Sequence, residues 1–348
     1  RPGGVPPVKR LLPIFEWLPR YQRSDLRYDV IAGVTVSALV VPKALGYAGI
    51  ALIPIQNGLY AAAAGALIYA IFGTSRQIST GPSSAIAAVA ASAVVTTGLP
   101  ADEAPQLVAA VTLMAGVLFL ALSVLKMGWI SRFLSKAVIT GFLFGAAIEV
   151  VVGELPKTTG TEASGENSWR EFASWWNSLD SFHGTTLLVG AVALGAILAM
   201  RFIWPRVPGA LVLVVGGLVA AQVFNLAERG VATVGEVPRG VPAPAFPGLS
   251  VFTENFPTIT VAAIALLLIG FSQTAGDARM FASRHKYRID VDQESLAQGM
   301  SNVGSGLFQG MPVSTSLSAS SLSDSTGART QMSSVVTGAM VILTLLVF

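Results

Sequence analysis

The sequence contains no cysteine, which excludes a disulfide framework and thiol catalysis. Its two histidines, His183 and His285, lie too far apart to form a paired zinc motif on one helix. Charge is scarce. Only 12% of residues are Asp, Glu, Lys or Arg, about half the fraction usual in soluble domains. No G-x-x-x-x-G-K-[ST] signature is present, so a P-loop nucleotide site is excluded. No cleavable signal peptide is expected, because the start is Pro-rich and basic and lacks a short apolar core with a small-residue cleavage site. No metal or cofactor is expected, and the formal charge of +3 points to no nucleic-acid partner.

What is abundant is apolar sequence. The 348 residues are 53% hydrophobic, with a mean hydropathy of +0.65. Apolar segments fall at 30–50, 52–72, 82–98, 105–126, 133–153, 185–204, 208–226, 257–280, 295–309, 312–325 and 331–348. Recurring runs of this length mark a polytopic membrane protein in a lipid bilayer. Segments three, nine and ten are short. They need not span alone if protein surrounds them. Residues 1–29 read as an interfacial helix or a solvated basic tail. The loop at 154–183 holds Trp169, Phe172, Trp175 and Trp176, an aromatic group suited to the membrane–water boundary. The sequence stops at Phe348 inside an apolar run, so a fragment of a longer protein is expected.

Charge orients the segments. With the N-terminus cytoplasmic and each segment crossing once, most of the 22 Lys and Arg fall inside. Asp102, Glu103, Glu154, Glu166, Asp180 and Glu236 fall outside. This is the positive-inside pattern.

Two short stretches break the apolar pattern in the same way. One runs from Ser79 through Gly81, Pro82, Ser83 and Ser84 to Ala88. The other runs from Gly310 through Pro312, Ser314, Ser316 and Ser318 to Ser321. Each places Pro and hydroxyls where a helix can start, since Pro is tolerated in a first turn. A helix N-terminus presents free N–H groups and partial positive charge. Interrupted segments in corresponding halves of a chain point to a transporter's binding site. The alternative is close packing of small residues between membrane helices.

Lys43 lies about 18 Å along the first segment from Ile31, at 1.5 Å per residue. That depth is near the bilayer centre, where a charge is functional by default. Glu149 in segment five could pair with Lys43, carry a coupled proton or sit at the outer interface; the last is favoured because Glu154 follows closely. Asp277 and Arg279 read as charges closing segment eight, with Asp277 kept as a second coupling candidate.

Several motifs carry a family resemblance. They are Asp29-Val30-Ile31-Ala32-Gly33-Val34-Thr35-Val36, Val41-Pro42-Lys43-Ala44-Leu45-Gly46-Tyr47-Ala48, Asn57-Gly58-Leu59-Tyr60 and Gly73-Thr74-Ser75-Arg76-Gln77-Ile78-Ser79-Thr80-Gly81-Pro82. Phe281-Ala282-Ser283-Arg284, Gln298-Gly299-Met300-Ser301-Asn302 and Gly327-Ala328-Arg329-Thr330-Gln331 follow in order. The chain resembles the SulP anion transporters, the sulfate permease and solute carrier 26 family that includes prestin. The resemblance implies an all-α polytopic membrane protein of two inverted repeats of seven transmembrane segments, with UraA-like core and gate domains. Segments three and ten would be half-helices and the last segments would lie outside this chain.

On that plan 1–29 is the N-terminal segment, 30–226 the first repeat, 227–256 an extracellular loop and 257–348 part of the second repeat. A C-terminal STAS domain would lie beyond. The resemblance places a small anion between the N-termini of segments three and ten, beside segments one and eight. The implied contacts are Lys43, Tyr47, Ser83, Ser84, Ala85, Gln273, Ser316, Leu317, Ser318 and Ala319.

Four positions depart from the family pattern. Lys43 replaces a common Gln, Ser83 an aromatic of prestin-like members, Ala319 an Arg of several animal members, and Gln273 a common bacterial acid. The small Ala319 suggests added room for a larger anion.

The expected protein is a homodimeric secondary active transporter in the inner (plasma) membrane. It would carry a dicarboxylate, sulfate or bicarbonate with protons or by exchange, through elevator-like alternating access. The alternatives are an uncoupled anion channel or prestin-like motor, and an intramembrane enzyme, for which no H-E-x-x-H or cysteine speaks.

Overall fold

The computed structural model describes residues 11–132, 144, 148, 151–152, 154–161, 168–204, 209–232 and 239–347. Glu149 lies outside the described residues. In chain order the main helices are α1 (Arg23–Ile50), α2 (Ile55–Phe72), α3 (Ser84–Thr97), α4 (Ala104–Val124) and α5 (Ser168–Asn177). Then come α6 (Gly184–Ile203), α7 (Gly209–Val223), α8 (Phe256–His285), α9 (Val291–Leu307), α10 (Leu317–Ser325) and α11 (Met332–Val347). Two strands, β1 (Thr80–Gly81) and β2 (Ser314–Thr315), precede α3 and α10. Among the described residues five helices, α1, α2, α4, α6 and α8, are long and apolar enough to cross a membrane. The chain divides into two compact units, one of residues 1–139 and 238–348 and the other of 140–237.

The first unit is built around α2. Its alanines at 61, 62, 63, 64, 66 and 70 are all buried, as expected of a helix enclosed on every side. Small residues let its neighbours approach closely. A Cβ on Gly58 would lie 2.0 Å from the Ala44 carbonyl oxygen of α1. A Cβ on Gly310, just before β2, would meet Ala61 N of α2 at 2.8 Å.

Pro82 disfavours helix in Gly81, the last residue of β1, and β2 is held extended by its pairing with β1. β1 and β2 pair antiparallel, with Thr80 opposite Thr315 and Gly81 opposite Ser314. The pairing satisfies backbone groups that water would otherwise have to serve. Helix α9 braces the crossing. The Asn302 side chain donates to Val313 O at 2.9 Å and accepts from Val313 N at 3.0 Å. Gln298 donates to Thr80 Oγ1 at 3.1 Å and Ser305 to Met311 O at 2.6 Å.

Two buried carboxylates fix the loops on either side. Glu294 accepts from Thr74 N at 2.9 Å, from Ser75 N at 3.1 Å and from the hydroxyls of Thr74 and Tyr69. Asp29 accepts from Arg329 N at 2.7 Å, Thr330 N at 3.1 Å and the Thr330 hydroxyl at 2.7 Å.

Three sequence boundaries move. α1 starts at Arg23, so the break expected at 29/30 falls inside a helix. The tenth segment is helical only from Leu317, because the pairing of β2 and the Asn302 bonds to Val313 hold the residues before it extended. α8 continues to His285. Asp277 and Arg279 therefore lie in the helix body, where no break such as Pro or Gly in the last turns interrupts it, and are not terminal charges.

In the second unit the ring of Phe172 in α5 contacts Trp175 at 5.5 Å and Trp176 at 6.2 Å. The Trp175 indole donates to the Thr159 hydroxyl at 3.0 Å. His183 caps α6, its Nδ1 accepting from Thr186 N at 3.4 Å.

Candidate functional site

The antiparallel strands run past each other and each feeds a helix, so the starts of α3 and α10 lie back to back. In α3 the first helical bond runs from Ala87 N to Ser83 O at 2.9 Å. The N–H groups of Ser84, Ala85 and Ile86 precede it and have no helical acceptor. In α10 the first bond runs from Ser320 N to Ser316 O at 2.8 Å, and Ser316 Oγ accepts from Ala319 N at 3.4 Å. The N–H groups of Leu317 and Ser318 remain ahead of the helix ladder.

Side chains from two further helices reach this stretch. Lys43 Nζ of α1 donates to Ser318 Oγ at 2.7 Å. Pro42 immediately before it removes one helix hydrogen bond and loosens α1 there. On α8, Gln273 and Asp277 stand one turn apart and so share a face. Gln273 Oε1 accepts from Ser314 Oγ at 2.9 Å, and Asp277 Oδ2 accepts from Thr315 Oγ1 at 2.9 Å. The Ser83 and Ser314 hydroxyls meet at 3.4 Å, and those of Ser316 and Ser318 at 3.3 Å. A cation and a carboxylate thus engage hydroxyls three residues apart in one short segment, next to two helix N-termini. Such an arrangement can hold an anion through N–H, O–H and ammonium donors without burying an unpaired full charge.

Of the sequence-expected residues, Lys43, Ser318 and Ser316 are joined in one hydrogen-bonded group, Ser83 and Gln273 meet through Ser314 in a second, and Asp277 reaches the same segment through Thr315. Ser84 and Leu317 are exposed at the two helix starts. Tyr47 packs against the core cluster that contains Ile86 and Met311. Ala85 and Ala319 are only 6% and 1% exposed, so neither offers side-chain surface; Ala85 can offer its backbone N–H, while that of Ala319 is taken by Ser316 Oγ. Ala319 adds no open room beside Ser318, because its methyl is packed inward. Ser314 and Thr315, which carry the contacts to α8, lie in the hydroxyl-rich stretch read from the sequence but are not among the anion contacts that the resemblance implies. The signal for them is the extended run from Pro312 to Ser316, in which successive side chains alternate in direction.

The profile of the sulfate permease family matches residues 26–348. The chain belongs to the sulfate permease family. Within it, a protein of Mycobacterium tuberculosis named as a probable sulfate transporter is 35% identical over 326 residues, covering 93% of this chain and 58% of that protein. Mouse solute carrier family 26 member 10 is 30% identical, covering 99% of this chain and 55% of that one. The chain therefore spans a little over half the length of these family members. Among solved structures it is similar to the murine solute carrier 26 family member A9 anion transporter, with a TM-score of 0.89 at 22% identity over 100% of this chain and 61% of that one. It is also similar to the transmembrane domain of the cyanobacterial bicarbonate transporter BicA, with a TM-score of 0.82 at 21% identity over 94% of this chain and 84% of that one. These likenesses establish the helical transmembrane fold of the family.

Proposed function

We propose that this chain is the anion-carrying membrane part of a secondary active transporter. The observation that carries the reading is the Lys43–Ser318 bond at 2.7 Å, which brings the one cation within the apolar stretch of α1 to the first turn of α10. The substrate class is a small oxyanion such as sulfate, bicarbonate or a dicarboxylate. Each helix N-terminus attracts an anion by only ~0.3–2 kcal/mol, so two ends plus one ammonium bind weakly enough for release. The related transporters named for sulfate and bicarbonate support this class.

Coupling is assigned to protons through Asp277. Among the described residues it is the carboxylate that meets the hydroxyl segment. Protonation of Asp277 leaves Lys43 as the net charge of the site and favours the anion, so proton and anion travel together. The two hydroxyl-rich stretches leading into α3 and α10 correspond as halves of an inverted repeat. The movement proposed is an elevator-like shift of the unit that holds both, in a homodimer of the plasma membrane with the N-terminus cytoplasmic.

Flux of labelled sulfate, bicarbonate and succinate into proteoliposomes tests the reading. A carrier shows counterflow and stimulation by an inward proton gradient. Flux that follows only the electrical potential would make the protein a channel. No flux of any of the three would remove the reading.

A further inference from the structure

The far ends of the two helices that flank the site are also tied. At the C-terminus of α8, Arg284 NH1 lies 2.9 Å from Asp324 Oδ2, and His285 Nε2 lies 2.6 Å from Asp324 Oδ1. Asp324 belongs to the last turn of α10, with its side chain only 11% exposed, while those of Arg284 and His285 are 58% and 39% exposed. The carboxylate is thus held in place while its two partners reach it from the surface. An ionised carboxylate only accepts hydrogen bonds, so Nε2 carries the hydrogen of its contact. α10 has nine residues. It is too short to be held by its own ladder. Its position relative to α8 is set at one end by Ser314–Gln273 and Thr315–Asp277 and at the other by Asp324.

We infer that Asp324 is a positioning residue for the anion site, clamping α10 to α8, and that His285 makes the clamp tighten in acid. The link to the anion site rests on the transport reading above; the clamp itself does not. Imidazole is the side chain that gains charge as pH falls from 8 to 5. A charged donor makes a markedly stronger bond to a carboxylate than a neutral one. Arg284 on α8 and Lys286 just after it flank His285 in sequence, and Asp324 on α10 is the carboxylate within hydrogen-bond reach of its ring. Asp290 at the start of α9 is engaged in capping, accepting from Asp292 N at 3.0 Å. Arg329, after α10, is taken by Asp25 at 2.7 Å. Asp324 is the carboxylate in contact with the imidazole, so protonation draws the two helix ends together.

The absence of cysteine from this sequence permits a direct test. Ser283→Cys and Ser325→Cys, both at exposed positions, carry a pair of spin labels in the protein reconstituted in proteoliposomes at equal pH on both sides. Between pH 8 and pH 5.5 the distance distribution should narrow. In the unlabelled protein the KM for sulfate counterflow should fall roughly two- to fivefold, the range of an exposed ion pair. His285→Gln should flatten the distance response and leave only the part of the KM response that Asp277 carries. Asp324→Asn should give the broad distribution and the higher KM at every pH, and Asp324→Glu should restore part of the pH response. An Asp324→Asn protein with the wild-type distribution at both pH values would overturn the clamp, as would a distance response that survives in His285→Gln. A distance response in a protein that carries no sulfate, bicarbonate or succinate would keep the clamp and overturn the transport reading. Normal transport with unchanged distances would overturn the clamp alone.

Discussion

The starts of α3 and α10 look alike in sequence and differ in wiring. At α10, Ser316 caps the helix, Ser314 and Thr315 bond to α8, and Ser318 receives Lys43. At α3, the Ser83 side chain makes no capping bond and, among the described residues, meets only Ser314, at 3.4 Å. The α10 start is fixed by charged and amide partners from two helices. The α3 start offers N–H groups and hydroxyls with little to hold them. A site that must bind and release gains from this division: the wired side sets charge and geometry, and the open side adjusts to the anion.

Changes at the brace of the wired side should have the largest effect. Asn302→Leu leaves Val313 N and O buried without partners, at about 1–3 kcal/mol for each group. The expected outcome is a protein that inserts poorly and loses its thermal unfolding transition in detergent, measured by scanning fluorimetry. Lys43→Gln should come next. Loss of a charge-assisted contact worth about 1.5–3 kcal/mol corresponds to a roughly 10- to 100-fold rise in KM, larger for a divalent than for a monovalent anion. Equal shifts for both would show that Lys43 does not face the anion. Asp277→Asn should abolish stimulation of uptake by an imposed proton gradient while leaving counterflow in place; stimulation that persists would move coupling away from α8. Ser83→Ala should be the mildest, changing KM less than about threefold, since a bond at 3.4 Å is near the limit of a useful contact. A Ser83 effect equal to that of Lys43 would erase the difference between the two helix starts.

The two interruptions are legible in the sequence because proline and hydroxyls break apolar runs there, although Pro82 and Pro312 lie ahead of the helices and not in their first turns, and counting residues along α1 places Lys43. The meeting of Lys43 with Ser318 is not legible, since residues 275 apart in sequence leave no local pattern. Asp277 reads as a terminal charge because Arg279 and Arg284 resemble the basic end of a span, yet the helix continues to His285. Glu294 and Asp29 are hidden for a similar reason. Each looks like a boundary charge, and only the fold shows it accepting backbone N–H groups of a distant loop. The size argument from Ala319 fails because small residues mark packing contacts as readily as open space.

Everything proposed for transport turns on one anion being shared by the starts of α3 and α10. Single Ser84→Cys and Ser318→Cys variants of this cysteine-free sequence can be labelled with a small charged methanethiosulfonate reagent, with and without sulfate, bicarbonate or succinate. Shared binding predicts that a transported anion slows labelling at both positions with the same half-saturating concentration. An anion that is transported yet protects neither position, or only one of them, would contradict it.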